Sequence, residues 1–417
     1  MRILVISNLF PPDILGGYEI LCEQVCSELR NMGHEIRVLT SVGQTADTVH
    51  YPVDRFLSLY LPFEKPAKYS RSRRWLTHRK NYSITQWAIS QFEPDVIFIW
   101  SQLRLTVGCA LAAEESGIPV AYTMNDEHLV GYFNCENSAM GSIRRLIDES
   151  FLQISARQLK LSNVTCISRT LKKRLCEMGL PLAKSKVIYQ GIPIQNFPLK
   201  ALPGSIGATA RLLYAGQLHE YKGVHTLLEA AEILTKTGRS VAVTICGGGN
   251  TSYENSLREM AASGRTKVEF LGRVHHQEIP RIYRAHDIFV FPSIWCEPFG
   301  LTHLEAMASG TGVVSTAEGG HGEFLRNEIN SLIFEPGSGK DLARKLAVLL
   351  DDAPLSRAIA RTAFKQVTTE FSLNSYARRL ASWLEDVKES LTGNRNEHRN
   401  PRMPGAEVPK NKLSLSI

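Results

Sequence analysis

Two carboxylates and the entry to a helix are packed into Ser293 to Gly310 (SIWCEPFGLTHLEAMASG). Glu297 stands just before a Pro-Phe-Gly break, and Glu305 follows inside an apolar run of Leu301, Leu304, Ala306, Met307 and Ala308 with helical spacing. One acid is therefore on a loop and the other on a helix. The free backbone N–H groups of Phe299, Gly300 and Leu301 at the helix entry favour a phosphate. Glu305, on the face of Leu301 and Thr302, can accept hydrogen bonds from a diol such as a ribose. Glu297 is free to reach a second polyol. Taken singly, each acid also fits a turn or a solvated helix face. Together they suit a sugar joined to a nucleotide through phosphates.

The elements around this stretch are those that would place it in a crevice. Asp287 to Pro292 (DIFVFP) reads as a buried strand, and Gly300 to Ser309 as the helix after it, ended by Gly310. A loop between them opens at the carboxyl end of a strand, where open α/β sheets bind ligands. From Glu297 through Gly310 the chain resembles the E-x7-E signature of retaining glycosyltransferases of family 4, the group 1 enzymes akin to glycogen synthase and mannosyltransferases. The resemblance spans roughly residues 1 to 390 and is closer in the second half. It implies an α/β chain of the GT-B fold: two Rossmann-like, doubly wound parallel-sheet domains facing each other across a cleft.

With 417 residues the chain is long enough for two cores, and 43% hydrophobic with 21% charged residues excludes a disordered or a membrane-embedded class. A net charge of +7 permits anionic phosphates or lipid surfaces and makes no case for nucleic acid. No apolar run approaches a transmembrane length, and MRILVISNLF reads as a buried strand, not a leader. A cytoplasmic protein is expected, peripheral to the inner membrane face if it docks there. Eight cysteines without a Cys-x-x-Cys pair fit that compartment; Cys22 and Cys26, one helical turn apart, read as buried packing or as half of a metal site.

Strands Ile3 to Ser7, Glu35 to Thr40, Asp95 to Trp100 and Pro119 to Thr123 alternate with helices Tyr18 to Met32 and Leu105 to Ser116, the pattern of a parallel sheet covered on both faces. Gly16 and Gly17 let the backbone approach a ligand at the mouth of the first strand, and the resemblance sets this loop beside the donor phosphates and the acceptor. Asn125-Asp126-Glu127-His128 cluster at a strand's carboxyl end. Asp126 and His128 are the acceptor candidates, with His128 as a base, a hydrogen-bond partner or a structural residue. Relatives often have a His-Asp pair here; Asn125 stands in the place of that His. Lys65 to Lys80 holds seven Lys or Arg and no acid, with Tyr69, Trp75 and Leu76 among them; it fits an anionic membrane surface or a solvated helix or loop.

Residues 1–192 are thus expected to form an acceptor-binding domain, 193–208 a linker and 209–370 the nucleotide-sugar domain. Residues 371–391 would form a helix returning to the first domain, and 392–417 a disordered tail. In the loop Gly216 to Gly223 (GQLHEYKG) the resemblance places Lys222 on the donor diphosphate. Gln217 occupies the position where relatives carry an arginine, with Arg273 or His219 as substitute cations. Gly248, in a triple glycine, lies close to the nucleotide or simply makes a tight turn. Glu318 to Glu323 reads as a flexible polar loop like the family's Gly-Gly-x-x-Glu segment.

The resemblance implies a UDP- or GDP-linked sugar as donor, a glycan or lipid-linked acceptor in cell-surface polysaccharide or glycolipid synthesis, and neither cofactor nor metal. Glu297 and Lys222 would be catalytic; Gly16, Gly17, Gln217, Lys222, Gly248, Glu297, Phe299, Gly300, Leu301 and Glu305 would bind the donor. Still open are a nucleotide-sugar epimerase, a phosphorylase, or a catalytically silent nucleotide- or glycan-binding protein on the same frame.

Overall fold

Strand β1 (Arg2–Ile6, RILVI) is buried along nearly its whole length, as a strand must be when helices cover both faces of its sheet. The computed structural model describes residues 1–44, 49–60, 71–133, 156–202, 204 and 206–397. Around β1 run β2 (Glu35–Ser41), β3 (Val53–Leu57), β4 (Val96–Ile99), β5 (Val120–Met124), β6 (Val164–Cys166) and β7 (Lys186–Val187). They pair in parallel in the order β3-β2-β1-β4-β5-β6-β7. A second parallel sheet holds β8 (Ala210–Ala215), β9 (Val241–Cys246), β10 (Lys267–Gly272), β11 (Ile288–Phe291), β12 (Gly312–Ser315) and β13 (Leu332–Ile333), in the order β10-β9-β8-β11-β12-β13.

In both sheets the strand order reverses at the first strand, so a crevice opens between β1 and β4 and another between β8 and β11. The chain leaving β8 carries Lys222, and the chain leaving β11 carries Glu297. Topology alone therefore brings these two loops to one rim. The two crossings between lobes lie side by side: Ile192 donates its N–H to Phe371, and Leu373 donates to Ile192, at 2.9 and 2.7 Å. Beyond the first crossing the chain lies on the second lobe, where Lys200 donates its N–H to Ser309 and Gly204 donates to Gly310.

The last helix, Leu373–Glu397, runs past Leu391, and residues 398–417 of the expected tail lie outside the described residues. Its Tyr376, Leu380, Trp383, Leu384 and Val387 pack into the first lobe's core with Ile3, Val5, Leu21 and Phe98. Leu384 is fully buried there. Leu384→Ala should cost about 2–4 kcal/mol by loss of transfer energy and cavity formation, read as a lower urea midpoint for the first lobe. Strand β3 (VDRFL) and the full helix Arg71–Phe92 are not apparent from the sequence pattern. The strand carries Asp54 and Arg55 at the sheet edge, where no apolar run marks it. Of the basic stretch, 61–70 lies outside the described residues, and the rest is helical.

Candidate active site

Helix Leu301–Ala308 begins at Gly300, whose φ of 123° is a conformation side-chain-bearing residues rarely adopt. The chain before it returns sharply from β11. Glu297 donates its N–H to Glu318 at 3.0 Å and accepts from Gly320 at 2.7 Å, so the loop Glu318–Gly320 runs beside it like a short strand. A Cβ on Gly319 would meet the Glu297 backbone, so glycine is required here. The expected flexible loop is instead a tight turn, Gly320–Glu323, with His321 buried.

Glu297 and Lys222 meet in this corner. The Lys222 Nζ donates to Glu297 Oε1 at 2.6 Å, and the Ser293 hydroxyl donates to the same oxygen at 2.7 Å. Both side chains of the pair are only 10% exposed. The ammonium also lies 4.8 Å from the Trp295 ring, with Tyr221 and Phe291 next. His303 and His321 stack at 4.4 Å nearby. Burial, then His321, pushes His303 well below its usual value; burial, then Lys222, lowers His321 to about 3. Both rings are neutral at physiological pH.

Glu305 lies further along the same helix, beside Tyr283 and near Cys246 at the end of β9. Part of the residue is open to solvent, yet burial of its carboxyl pushes it up from 4.5 to about 7, opposed by a hydrogen bond from Tyr283. Burial without a cationic partner is the cause. Gly248 abuts the Arg273 side chain, since a Cβ there would meet Arg273 Cγ at 3.2 Å. Gln217 is exposed, and its backbone carbonyl accepts from the Tyr214 hydroxyl. Phe299 turns its ring into an aromatic cluster with Tyr189, Phe324 and Phe371, leaving only its backbone for a ligand.

The first lobe closes on this corner. A Cβ on Gly17 would lie 3.4 Å from Leu301, whereas Gly16 faces open space. Burial, then the carboxylates of Asp126, Glu297 and Glu19, holds the Tyr18 hydroxyl well above its usual range. Acids of both lobes thus converge on Tyr18, which donates to the Asn125 carbonyl at 2.7 Å. A small polar recess beside it is lined by Ser7, Asn8, Tyr18, Trp100, Asn125 and Asp126, among others. Burial raises the Asp126 carboxyl, but its contact with His128 Nδ1 prevails and holds it below the ordinary range. The Asn125 amide donates to Trp100 O and accepts from Gln190, which gives this residue a structural task.

The lobes are also tied near their crossings. Glu323 accepts from the N–H groups of Arg169 and Thr170, the Thr170 hydroxyl and the Tyr189 hydroxyl at 2.7–3.1 Å. Ser168 donates to the Pro298 carbonyl at 2.6 Å. Sequence reasoning missed Tyr18, Ser293, His303 and His321. All but Tyr18 lie in or beside the motif stretch, but only tertiary packing distinguishes them. Among the described residues no group of three or more His, Cys, Asp or Glu side chains could hold a metal ion, and no helix is long and apolar enough to cross a membrane. Cys22 and Cys26 are buried in the first lobe's core.

Residues 15–196 match the model of the Glycosyltransferase Family 4 domain, and residues 204–366 that of Glycosyl transferases group 1. An uncharacterized glycosyltransferase of Methanocaldococcus jannaschii is 26% identical over 394 residues, covering 91% of this chain and 96% of that protein. Glycogen synthase of Mycobacterium tuberculosis is 27% identical over 427 residues, covering 98% and 99%. The crystal structure of Anabaena Alr3699/HepE in complex with UDP and glucose shares the fold, with a TM-score of 0.69 at 21% identity over 92% of this chain and 99% of that one.

Proposed function

From a chain that belongs to the group 1, family 4 glycosyltransferases and carries both their domains, we propose transfer of a sugar from a nucleotide-diphosphate sugar to an acceptor hydroxyl with retention at the anomeric carbon. The observation that supports this best is the buried Lys222–Glu297 pair beside the entry of helix Leu301–Ala308, with Glu305 further along that helix.

The bond from the anomeric carbon to the diphosphate breaks with its electron pair going to the diphosphate, a bond to the acceptor oxygen forms on the face that the diphosphate leaves, and the acceptor proton passes to the departing diphosphate. The charge that grows on the departing diphosphate is stabilised by Lys222 and by the N–H groups at Phe299 to Leu301. Lys222 then exchanges its carboxylate partner for phosphate, which frees Glu297 to accept hydrogen bonds from the sugar hydroxyls. Glu305 takes the ribose, while Gly16, Gly17 and Gly248 let the backbone come close; Arg273 over Gly248 supplies the cation that Gln217 lacks. The acceptor lies on the first lobe, with its hydroxyl near Asp126 and His128, whose Nδ1 is oriented by Asp126. Residues 1–192 act as the acceptor domain and 209–370 as the donor domain, closing about the paired crossings to exclude water. We place the reaction in cell-surface polysaccharide or glycolipid synthesis at the cytoplasmic face.

Melting temperature and slow hydrolysis with UDP-, GDP- and ADP-sugars test the reading. One donor is expected to raise the melting temperature and to be hydrolysed. Nucleotide binding without any turnover would favour a silent binding protein, epimerised donor an epimerase, and phosphate-dependent turnover a phosphorylase.

A further inference from the structure

Helix Arg71–Phe92 has five Lys or Arg and no acidic residue in its 22 positions. Arg73, Leu76, Lys80, Ser83 and Trp87, spaced three and four apart, share one exposed face, with Arg79 beside it. Leu76 is 60% exposed, Trp87 41% and Trp75 36%. On the neighbouring edge strand β3, Phe56 is 47% exposed and meets the Trp87 ring edge-on at 5.4 Å. Phe56, Ser83, Ile84 and Trp87 line an open groove of about 270 Å³. A core has no use for these rings here, and a face made only to be solvated would not carry them.

The helix is also placed at the rim of the cleft. The fully buried Asn81 accepts from the Ser58 N–H and donates to Ser58 and Leu105 carbonyls, which belong to the loops after β3 and β4. The helix runs against the strands, so its turns before Asn81 extend past the carboxyl ends of the sheet by about 15 Å. Arg73, Arg79 and Lys80 thus stand at the cleft side together with Trp75 and Leu76, and Trp87 and Phe56 lie along the sheet edge. Among the described residues, two acids near this face are partnered elsewhere: Asp54 by Arg37 at 2.6 Å, and Glu115 by the Tyr82 hydroxyl.

We propose that this face seats the protein on an anionic membrane surface. Trp87, Phe56 and Leu76 enter the headgroup layer, and Arg73, Arg79 and Lys80 meet lipid phosphates. The cleft mouth then opens along the bilayer, where a lipid-linked acceptor would present its glycan. The surface stands apart from the transfer chemistry, since none of these residues belongs to the cleft corner.

The test is sedimentation of the full chain with phosphatidylcholine vesicles, with and without phosphatidylglycerol. Binding is expected only with the anionic lipid, weakening as salt rises. R73E/R79E/K80E should lower partitioning at least about fivefold per charge. Trp87→Ser with Leu76→Ser should weaken it with the salt dependence kept. Both variants should hydrolyse donor in solution like the wild type, so a failed transferase reading and a failed membrane reading give different results. Absence of binding to anionic vesicles, equal binding to neutral ones, or binding unmoved by the charge reversals overturns the proposal. So does a wild-type dimer that Trp87→Ser dissociates without any vesicle binding, which would assign the face to a second copy.

Discussion

Replacing Lys222 by alanine is expected to lower donor turnover by about 10²–10³-fold, the effect of removing one charged group that stabilises a developing anion. The same change should destabilise the ligand-free protein. Lys222 and Glu297 are each 10% exposed and 2.6 Å apart, and removing one partner leaves the other as an uncompensated buried charge. Such a break costs about 3–5 kcal/mol. Ser293 still donates to Glu297, but a hydroxyl replaces only part of an ammonium. The stability and catalytic effects separate in the double variant. Lys222→Ala with Glu297→Gln removes both charges, so its melting temperature should recover toward the wild type while its turnover stays at the floor. Glu297→Gln alone should also melt below the double variant, since the buried Lys222 ammonium then faces only an amide, and should turn over slowly, because the amide cannot accept from sugar hydroxyls as a carboxylate does. A Lys222→Ala protein that folds and turns over donor at the wild-type rate would remove the phosphates from this corner.

What the sequence made legible follows from how each feature is encoded. DIFVFP and DVIFIW are continuous apolar runs, and such runs report strands buried on both faces whatever surrounds them. The E-x7-E stretch was legible because its acids, turn and helix are local in sequence. The Lys222–Glu297 contact was not, since its partners are 75 residues apart and meet only through the strand order of the second sheet. Asn125 looked like a departure from a family pattern; its bonds to Trp100 and Gln190 show a side chain joining two loops, for which no local pattern exists. His303 and His321 stand in plain view in the sequence. Their stacking depends on Gly300 and Gly319 taking positive φ, and spacing does not reveal that.

Glu305 should make donor binding depend on pH near neutrality, where an ordinary surface acid is already fully ionised. Its carboxyl is pushed up to about 7, so near neutrality it titrates in the range where the enzyme is assayed. If the ribose diol donates to the carboxylate, only the ionised form binds fully. Donor affinity should then weaken about tenfold as pH falls from 8 to 6, and flatten above 8. Glu305→Gln should abolish this dependence, and Glu305→Ala should weaken binding about 10²-fold at pH 8, the loss of two charge-assisted hydrogen bonds. Isothermal titration with the donor found in the melting panel reads both.

Stability moves the other way. Between 4.5 and about 7 the folded protein holds a proton on Glu305 that the unfolded chain has released. Unfolding therefore becomes easier as pH rises through that window, and stability levels off above it. In the ligand-free state Glu305→Gln should match the wild type at pH 5 and melt higher than it at pH 8, since the variant buries no charge. Bound donor should reverse that ranking at pH 8, because the carboxylate then gains the ribose hydroxyls as donors beside Tyr283. A wild type and a Glu305→Gln variant whose melting temperatures run parallel from pH 5 to 8, with and without donor, would mean that Glu305 neither titrates in this range nor meets the nucleotide.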